Sequence, residues 1–381
     1  MVAFDKPASG ASSKPAPAQR LAKALREQHG FPGTQHRSAN RDQPPARRGR
    51  WALAQNGLAE SRHGAMVKKS KKSEAIDPNA LLEKIKRLAV QAMFSDDQLL
   101  EDLVLKGGNA MALIHQLSSR ASIDLDFSLE HDFSEGPEAA FKRIEDVLKR
   151  TFRENGLEVF DVKMKQKPDG LTEDMADFWG GYGLEFKLIS AALFAEHAAD
   201  LQQLQKRAIK VGQGSKFTID ISRFEYTKDK QAADFEGLRI YVYSPEMIVC
   251  EKLRAICQQM PEYGPYIKRD RAGSARARDF MDIHLLVETL KLDMRTDKVA
   301  TMLVEMFRLK HVPLELLALV PTYREFHRTD FASVLATVKP GVAVETFDHY
   351  FDYTLGLVDA LKPVWHKEPP LLDVAGVRHG V

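Results

Sequence analysis

Apolar residues recur at helical spacing through Leu81, Leu82, Ile85, Leu88 and Ala89, behind an Asp77-Pro78 pair that sets a cap before a first-turn proline. The folded part of the chain is predicted to begin there, with a second short helix from Ser95-Asp96. The period then changes. Leu103–Leu105 reads as a strand, Gly107-Gly108 as a tight turn opening a short helix, and Ser122–Ser128 as a second strand whose residues alternate between two faces. Helical spacing returns over Glu138–Arg153, where Phe141, Ile144, Val147, Leu148 and Phe152 share one face. Strand candidates follow at Leu157–Lys165, Gly183–Ile189, Phe217–Ser222 and Arg239–Tyr243, interrupted by a helical stretch over Ala192–Arg207.

From Ser244-Pro245 onward the pattern is helical, over Pro245–Gln259, Arg276–Leu290, Thr296–Arg308, Tyr323–Val338 and Val344–Leu361. Between the first two, Met260–Ser274 combines Pro, Gly, Lys and Arg and is expected to be an exposed, mobile loop. The fold class is therefore α+β: a core at 76–243 with a small mixed sheet, then a helical domain at 244–365 and a frayed end at 366–381. No internal repeat is visible.

Charge changes this picture at the N-terminal end. Residues 1–75 hold 15 Lys and Arg against 5 Asp and Glu, so this stretch carries +10 and the rest −8 of a total of +2. Rich in Pro, Ala, Gly, Ser and Gln, it is expected to be a disordered basic tail that attracts nucleic-acid phosphates without sequence preference. Met66, just before the first convincing helix, offers a second possible start. No run approaches the ~20 apolar residues of a membrane span, and the first 30 residues have no apolar signal core, so a cytoplasmic protein with no membrane partner is expected. Cys250 and Cys257 lie two turns apart on one predicted helix and read as core thiols.

The chemistry is concentrated between Lys106 and Phe127. Asp124 and Asp126 fall on one face of their strand, with Ile123, Leu125 and Phe127 toward the core. Two adjacent carboxylates repel unless a cation lies between them, and magnesium favours one or two carboxylates plus substrate phosphate oxygens. Gly107-Gly108 lets backbone amides approach a phosphate, and the helix opening at Asn109 points its positive end the same way. A third carboxylate is expected on a neighbouring strand. Asp220, between Ile219 and Ile221, is favoured over Glu185, which shares its face with Lys187. With three carboxylates, two magnesium ions could clamp an in-line phosphoryl displacement.

The helical half offers Lys252, left free to reach a triphosphate while Ile248, Cys250, Leu253 and Ile256 pack inward, or else a surface lysine. Asp279 and Asp282 share a face at i, i+3, either as helix-start caps, as an ion pair of Asp279 with Lys252, or as part of the site.

Taken together, Leu105-Lys106-Gly107-Gly108, Arg120-Ala-Ser122-Ile-Asp124-Leu-Asp126-Phe127, the acidic strand, Lys252-Leu-Arg-Ala and Arg276-x-Arg278-Asp279-x-x-Asp282 resemble the AbiEii/AbiGii-type nucleotidyltransferases. These are toxins of type IV toxin–antitoxin and abortive-infection systems within the DNA polymerase β-like superfamily. The resemblance spans about residues 78–290 and implies a polymerase-β-like core. It implies magnesium on Asp124 and Asp126, nucleotide phosphates on Lys252 and the Lys106-Gly107-Gly108-Asn109 turn, and an essential acid at Asp279 that acts as a base or orients Lys252. The superfamily usually has Ser or Thr after its glycine pair; this chain has Asn109, whose amide can also donate to phosphate. Ser122 is an alternative hydroxyl near the phosphates, or itself an acceptor of transfer.

The expected activity is magnesium-dependent transfer of a nucleotide from a nucleoside triphosphate to RNA, first of all a tRNA 3′ end, with Asp220 helping to activate the attacking hydroxyl. The family also implies a cognate antitoxin. Two other readings stand beside it: transfer to a protein side chain or small molecule, and a catalytically silent nucleotide- or nucleic-acid-binding module.

Overall fold

The computed structural model describes residues 78–117, 124–210, 214–271 and 273–365. The predicted basic tail at 1–75, the end at 366–381 and Ser122 lie outside the described residues. Seven strands form one mixed sheet: β1 Val104–Lys106, β2 Leu125–Ser128, β3 Leu157–Lys167, β4 Gly181–Ser190, β5 Phe217–Ser222, β6 Gln231–Phe235 and β7 Leu238–Val242. Their spatial order is β3-β4-β5-β2-β1-β7-β6. The β2/β5 and β1/β7 pairs are parallel and the others antiparallel. Because β2 and β5 run together, Asp126 lies opposite Asp220 in register.

The alternation read in the sequence explains this placement. Leu125, Phe127, Ile219 and Ile221 are buried on one face, and the intervening aspartates emerge on the other. Helices α1 (Pro78–Phe94) and α2 (Pro137–Glu154) pack on each other, and α2 also packs on β3, burying Ile85, Leu88, Ile144, Leu148 and Phe152. Beyond the sheet come α3 (Pro245–Cys257), α4 (Ala277–Leu290), α5 (Asp297–Leu309) and α6 (Phe347–Ala360). Ser244, Thr296 and Thr346 cap α3, α5 and α6, each side-chain oxygen accepting a backbone N–H three residues on. One apolar core runs from Phe127 and Val242 in the sheet to Leu253, Phe280, Phe307 and Phe351 in the helices. Both cysteines are free and buried in it. Among the described residues no helix is long and apolar enough to cross a membrane.

Five elements differ from expectation. The expected helical stretch at 192–207 is two helices, Ala191–His197 and Leu201–Arg207, the second capped by Asp200, whose side chain accepts from the Gln203 N–H. β2 begins at Leu125, so Asp124 sits in the bend just before it. β6 was not expected, because Gln231–Phe235 is polar and largely exposed; its signal is the Glu236-Gly237 turn, with φ of 54° and 83°, that folds it against β7. The expected loop at 260–274 contains a 3-10 helix, Pro261–Ile267, held down by a fully buried Tyr263 whose hydroxyl donates to the Lys310 carbonyl at 2.6 Å. The expected helix at 323–338 breaks into Arg324–Arg328 and Phe331–Leu335, behind a 3-10 segment Leu314–Tyr323 that contains Pro321.

Candidate active site

At the ends of β1, β2 and β5 a cavity of about 700 Å³ opens between the sheet and the start of α4. Asp124, Asp126 and Asp220 line it, together with Gly107 and Gly108. Gly107 has φ +68°, and a Cβ there would stand 2.7 Å from Asp126 Oδ2. Only glycine lets this turn press against the carboxylate without strain. The turn continues as Gly107–Asn109 into a π-helical segment, Ala110–Ile114.

Asn109 itself is fully buried, and its amide donates to the backbone carbonyl of Asp124. It anchors the aspartate segment to the glycine turn and is not among the residues lining the cavity. Asp124 is exposed and accepts from Thr218 Oγ1 at 3.0 Å. Asp126 is pushed up to about 6, first by burial and then by Glu251, Asp220 and Asp124, against the pull of Lys106. Asp220 carries the Lys167 ammonium 2.5 Å from Oδ1. The rival carboxylate, Glu185, instead pairs with Lys216 at 2.7 Å and does not line the cavity.

The floor is a buried charge cluster that sequence reasoning missed. Lys106 donates to Glu251 at 2.9 Å and Ser222 at 3.2 Å, with Glu225 at 3.5 Å. Glu225 also meets Arg254 at 2.9 Å and Lys310 at 3.4 Å. Burial opposes the Lys106 charge, but Glu225 and Glu251 outweigh it and hold the ammonium well above its ordinary range. Burial likewise opposes the Glu225 charge, and Arg254, Lys106 and Lys310 overcome it. Lys310 is pulled down to about 8 by burial despite Glu225. Lys106 therefore points into the floor as a buried pillar beneath the glycine turn. The only sequence signal for the cluster was an unusual density of charge on an otherwise apolar helix, at Glu251, Lys252 and Arg254.

On the helical wall, Lys252 is buried and donates to Asp279 Oδ1 at 2.9 Å and Asp282 Oδ2 at 2.8 Å. Asp279 also accepts from Arg276 Nε at 2.5 Å. Burial works against its charge, but Arg276, Lys252 and Arg278 keep the carboxyl well below its usual range. Of the readings open for Lys252, the ion pair with Asp279 is the one present, within a network that includes Asp282 at the cavity wall, with Arg276 and Arg278 lining the same space. Behind it, buried His327 accepts the Arg276 backbone N–H at 3.1 Å, and burial lowers its pKa to about 4.

Among the described residues no group of three or more His, Cys, Asp or Glu side chains forms a ready-made metal cage. The donor set nevertheless suits magnesium, which takes one or two carboxylates and completes its shell with substrate phosphates and water. The carboxylates of Asp124 and Asp220 beside Asp126, and the ammonium seated on Asp220, mark a place where positive charge is favoured. Asp124, Asp126 and Asp220 would hold such an ion.

No curated protein matches this chain. Among solved structures, similarity is found to a candidate nucleotidyltransferase from H. pylori, with 17% identity over 77% of this chain and 100% of that one and a TM-score of 0.41. JHP933 from Helicobacter pylori gives 15% identity, 76% and 95% coverage and a TM-score of 0.39. An antigenic nucleotidyltransferase-like protein from Paracoccidioides brasiliensis gives 15% identity, 59% and 87% coverage and a TM-score of 0.25. The family model described as nucleotidyl transferase AbiEii toxin, type IV TA system, matches residues 88–353. That match takes in the glycine turn, all three aspartates, Lys252 and Asp279, and the chain belongs to the AbiEii family of nucleotidyltransferase toxins of type IV toxin–antitoxin systems.

Proposed function

We propose that this nucleotidyltransferase moves a nucleotide from a nucleoside triphosphate to the 3′ end of an RNA, with tRNA as the first candidate, and that the reaction depends on magnesium. In this reading an acceptor hydroxyl attacks the α-phosphorus, a new P–O bond forms, the bond to the β-phosphate bridging oxygen breaks, and pyrophosphate leaves with the electron pair. Asp220 takes the hydroxyl proton or orients the hydroxyl. The amides of Gly107 and Gly108 receive phosphate oxygens, and Arg276 and Arg278 face the same charge from the helical wall. Lys252 and Asp279 keep that wall in place and present the lysine to the phosphates. Magnesium, when bound, supplies charge neutralisation of the triphosphate and of the leaving pyrophosphate.

The observation that carries the proposal is the in-register pairing of Asp126 with Asp220, beside Asp124 and under a glycine turn that a Cβ would close. As a type IV toxin the protein is paired with an antitoxin; loss of usable tRNA would be the toxic outcome that the antitoxin restrains. The division at 244 between a catalytic core and a helical domain also stays a proposal, marking where strands give way to helices.

The test is incubation with total RNA, magnesium and each of four α-labelled triphosphates, alongside Asp124→Ala. Label in an RNase-sensitive band that requires magnesium and disappears with Asp124→Ala is expected. Label in protein or a small molecule would overturn the RNA assignment, and persistent transfer by Asp124→Ala would overturn the site.

A further inference from the structure

Lys167 ends β3, and its side chain does not stay on its own strand. Backbone register pairs Lys167 with Gly181 on β4, and Gly183 with Asp220 on β5. The lysine stem passes over Gly183, and its ammonium comes to rest 2.5 Å from Asp220 Oδ1, inside the cavity. A Cβ at 183 would overlap the Cε of Lys167. Gly183 has no positive φ to require glycine, so what it provides is the passage. The neighbouring strand lysines do otherwise: Lys163 pairs with Asp161 of its own strand, and Lys187 with that same Asp161.

We propose that Lys167 is a tethered counter-ion of the third carboxylate, competing with a divalent cation for Asp220. The inference rests on the reading of Asp124, Asp126 and Asp220 as the metal-binding set. In the nucleotide-free protein the ammonium neutralises Asp220 and moderates its repulsion with Asp126. A divalent cation must displace it, so the protein binds metal weakly until a triphosphate brings its own ligands. The Lys167 side chain is 57% exposed and has four methylenes, so displacement costs little packing and leaves the ammonium within reach of a bound phosphate. Lys167 is therefore a positioning residue that links metal occupancy to nucleotide occupancy.

Manganese titration of the full chain, read by the electron paramagnetic resonance of free Mn²⁺ without nucleotide, tests this directly. Lys167→Met is expected to tighten manganese binding by roughly three- to tenfold, the scale of one exposed ion pair plus removal of a like charge. Gly183→Ala, which shuts the passage, should do the same. Lys163→Met should leave affinity unchanged, and Lys167→Met should tighten binding clearly less in an Asp220→Asn background than in the parent protein. Equal affinity in the parent protein and Lys167→Met, with Asp126→Asn weakening both, overturns the counter-ion role and leaves the metal site standing. Absence of binding in every variant, including Lys167→Met, overturns the metal reading and the counter-ion role with it.

Discussion

Asp126 on β2 and Asp220 on β5 lie opposite each other in a parallel strand pair, the two carboxylates emerging on one sheet face while Leu125, Phe127, Ile219 and Ile221 are buried on the other. The register gives the fold no freedom to separate them. Metal-free protein therefore holds like charges together at the candidate site, partly compensated by Lys167 and Lys106.

Asp126→Asn is expected to abolish nucleotide transfer while raising the melting temperature of the metal-free protein at pH 8. The carboxyl is pushed up to about 6, above its unfolded value, so its ionisation opposes folding above pH 6 and that penalty fades as pH falls toward 4. A stabilisation of about 1–2 kcal/mol at pH 8 is expected, since a shift of one unit is worth about 1.4 kcal/mol and the site is partly exposed. Thermal melts of both proteins at pH 8 and pH 4.5 check it; an equal difference at both pH values would contradict the charge argument.

Lys252→Met should be strongly destabilising, by about 3–5 kcal/mol, because it removes the ammonium shared by the buried carboxylates of Asp279 and Asp282. Adding Asp279→Asn and Asp282→Asn should recover much of the urea midpoint without restoring transfer. A single Lys252 variant that keeps the parent midpoint would show that the network is not the wall's support.

Asn109→Ala should lose about 1–3 kcal/mol, since a buried donor is removed from the Asp124 carbonyl. Asn109→Ser, which installs the hydroxyl more usual in the superfamily, should not rescue it, because the shorter side chain cannot span to that carbonyl. Hydrogen exchange around residues 124–128 would report the loosening; protection equal to the parent would exclude the anchor role.

His327 should make the helical wall acid-sensitive. Its pKa falls to about 4 on folding from an ordinary 6.5, so the stability it contributes is complete above 6.5 and is lost as pH drops toward 4. His327→Gln, which keeps an acceptor for the Arg276 N–H, should flatten the decline in melting temperature between pH 7 and pH 4.5. An unchanged slope would remove His327 from the account.

Much of the sheet side of the site was legible because a half-buried strand writes itself as alternation. Phe217 to Ser222 displays Asp220 between two isoleucines, and Leu125 to Phe127 frames Asp126 in the same way. Lys167 was invisible, since β3 runs past the apolar pattern that ends near Lys165 and the lysine acts two strands away. Lys106, Glu225 and Lys310 meet only through tertiary contact, and charge on single elements cannot announce partners that lie far away along the chain. Lys252 was seen as chemistry, but its burial was not, because the two aspartates that compensate it lie on another helix.

The bond from Asn109 to the Asp124 carbonyl, together with the β1/β2 register that pairs Lys106 with Asp126, ties together both ends of the segment between them. The glycine turn and the first aspartate are therefore coupled, so a change that shifts the turn is also felt at the carboxylates.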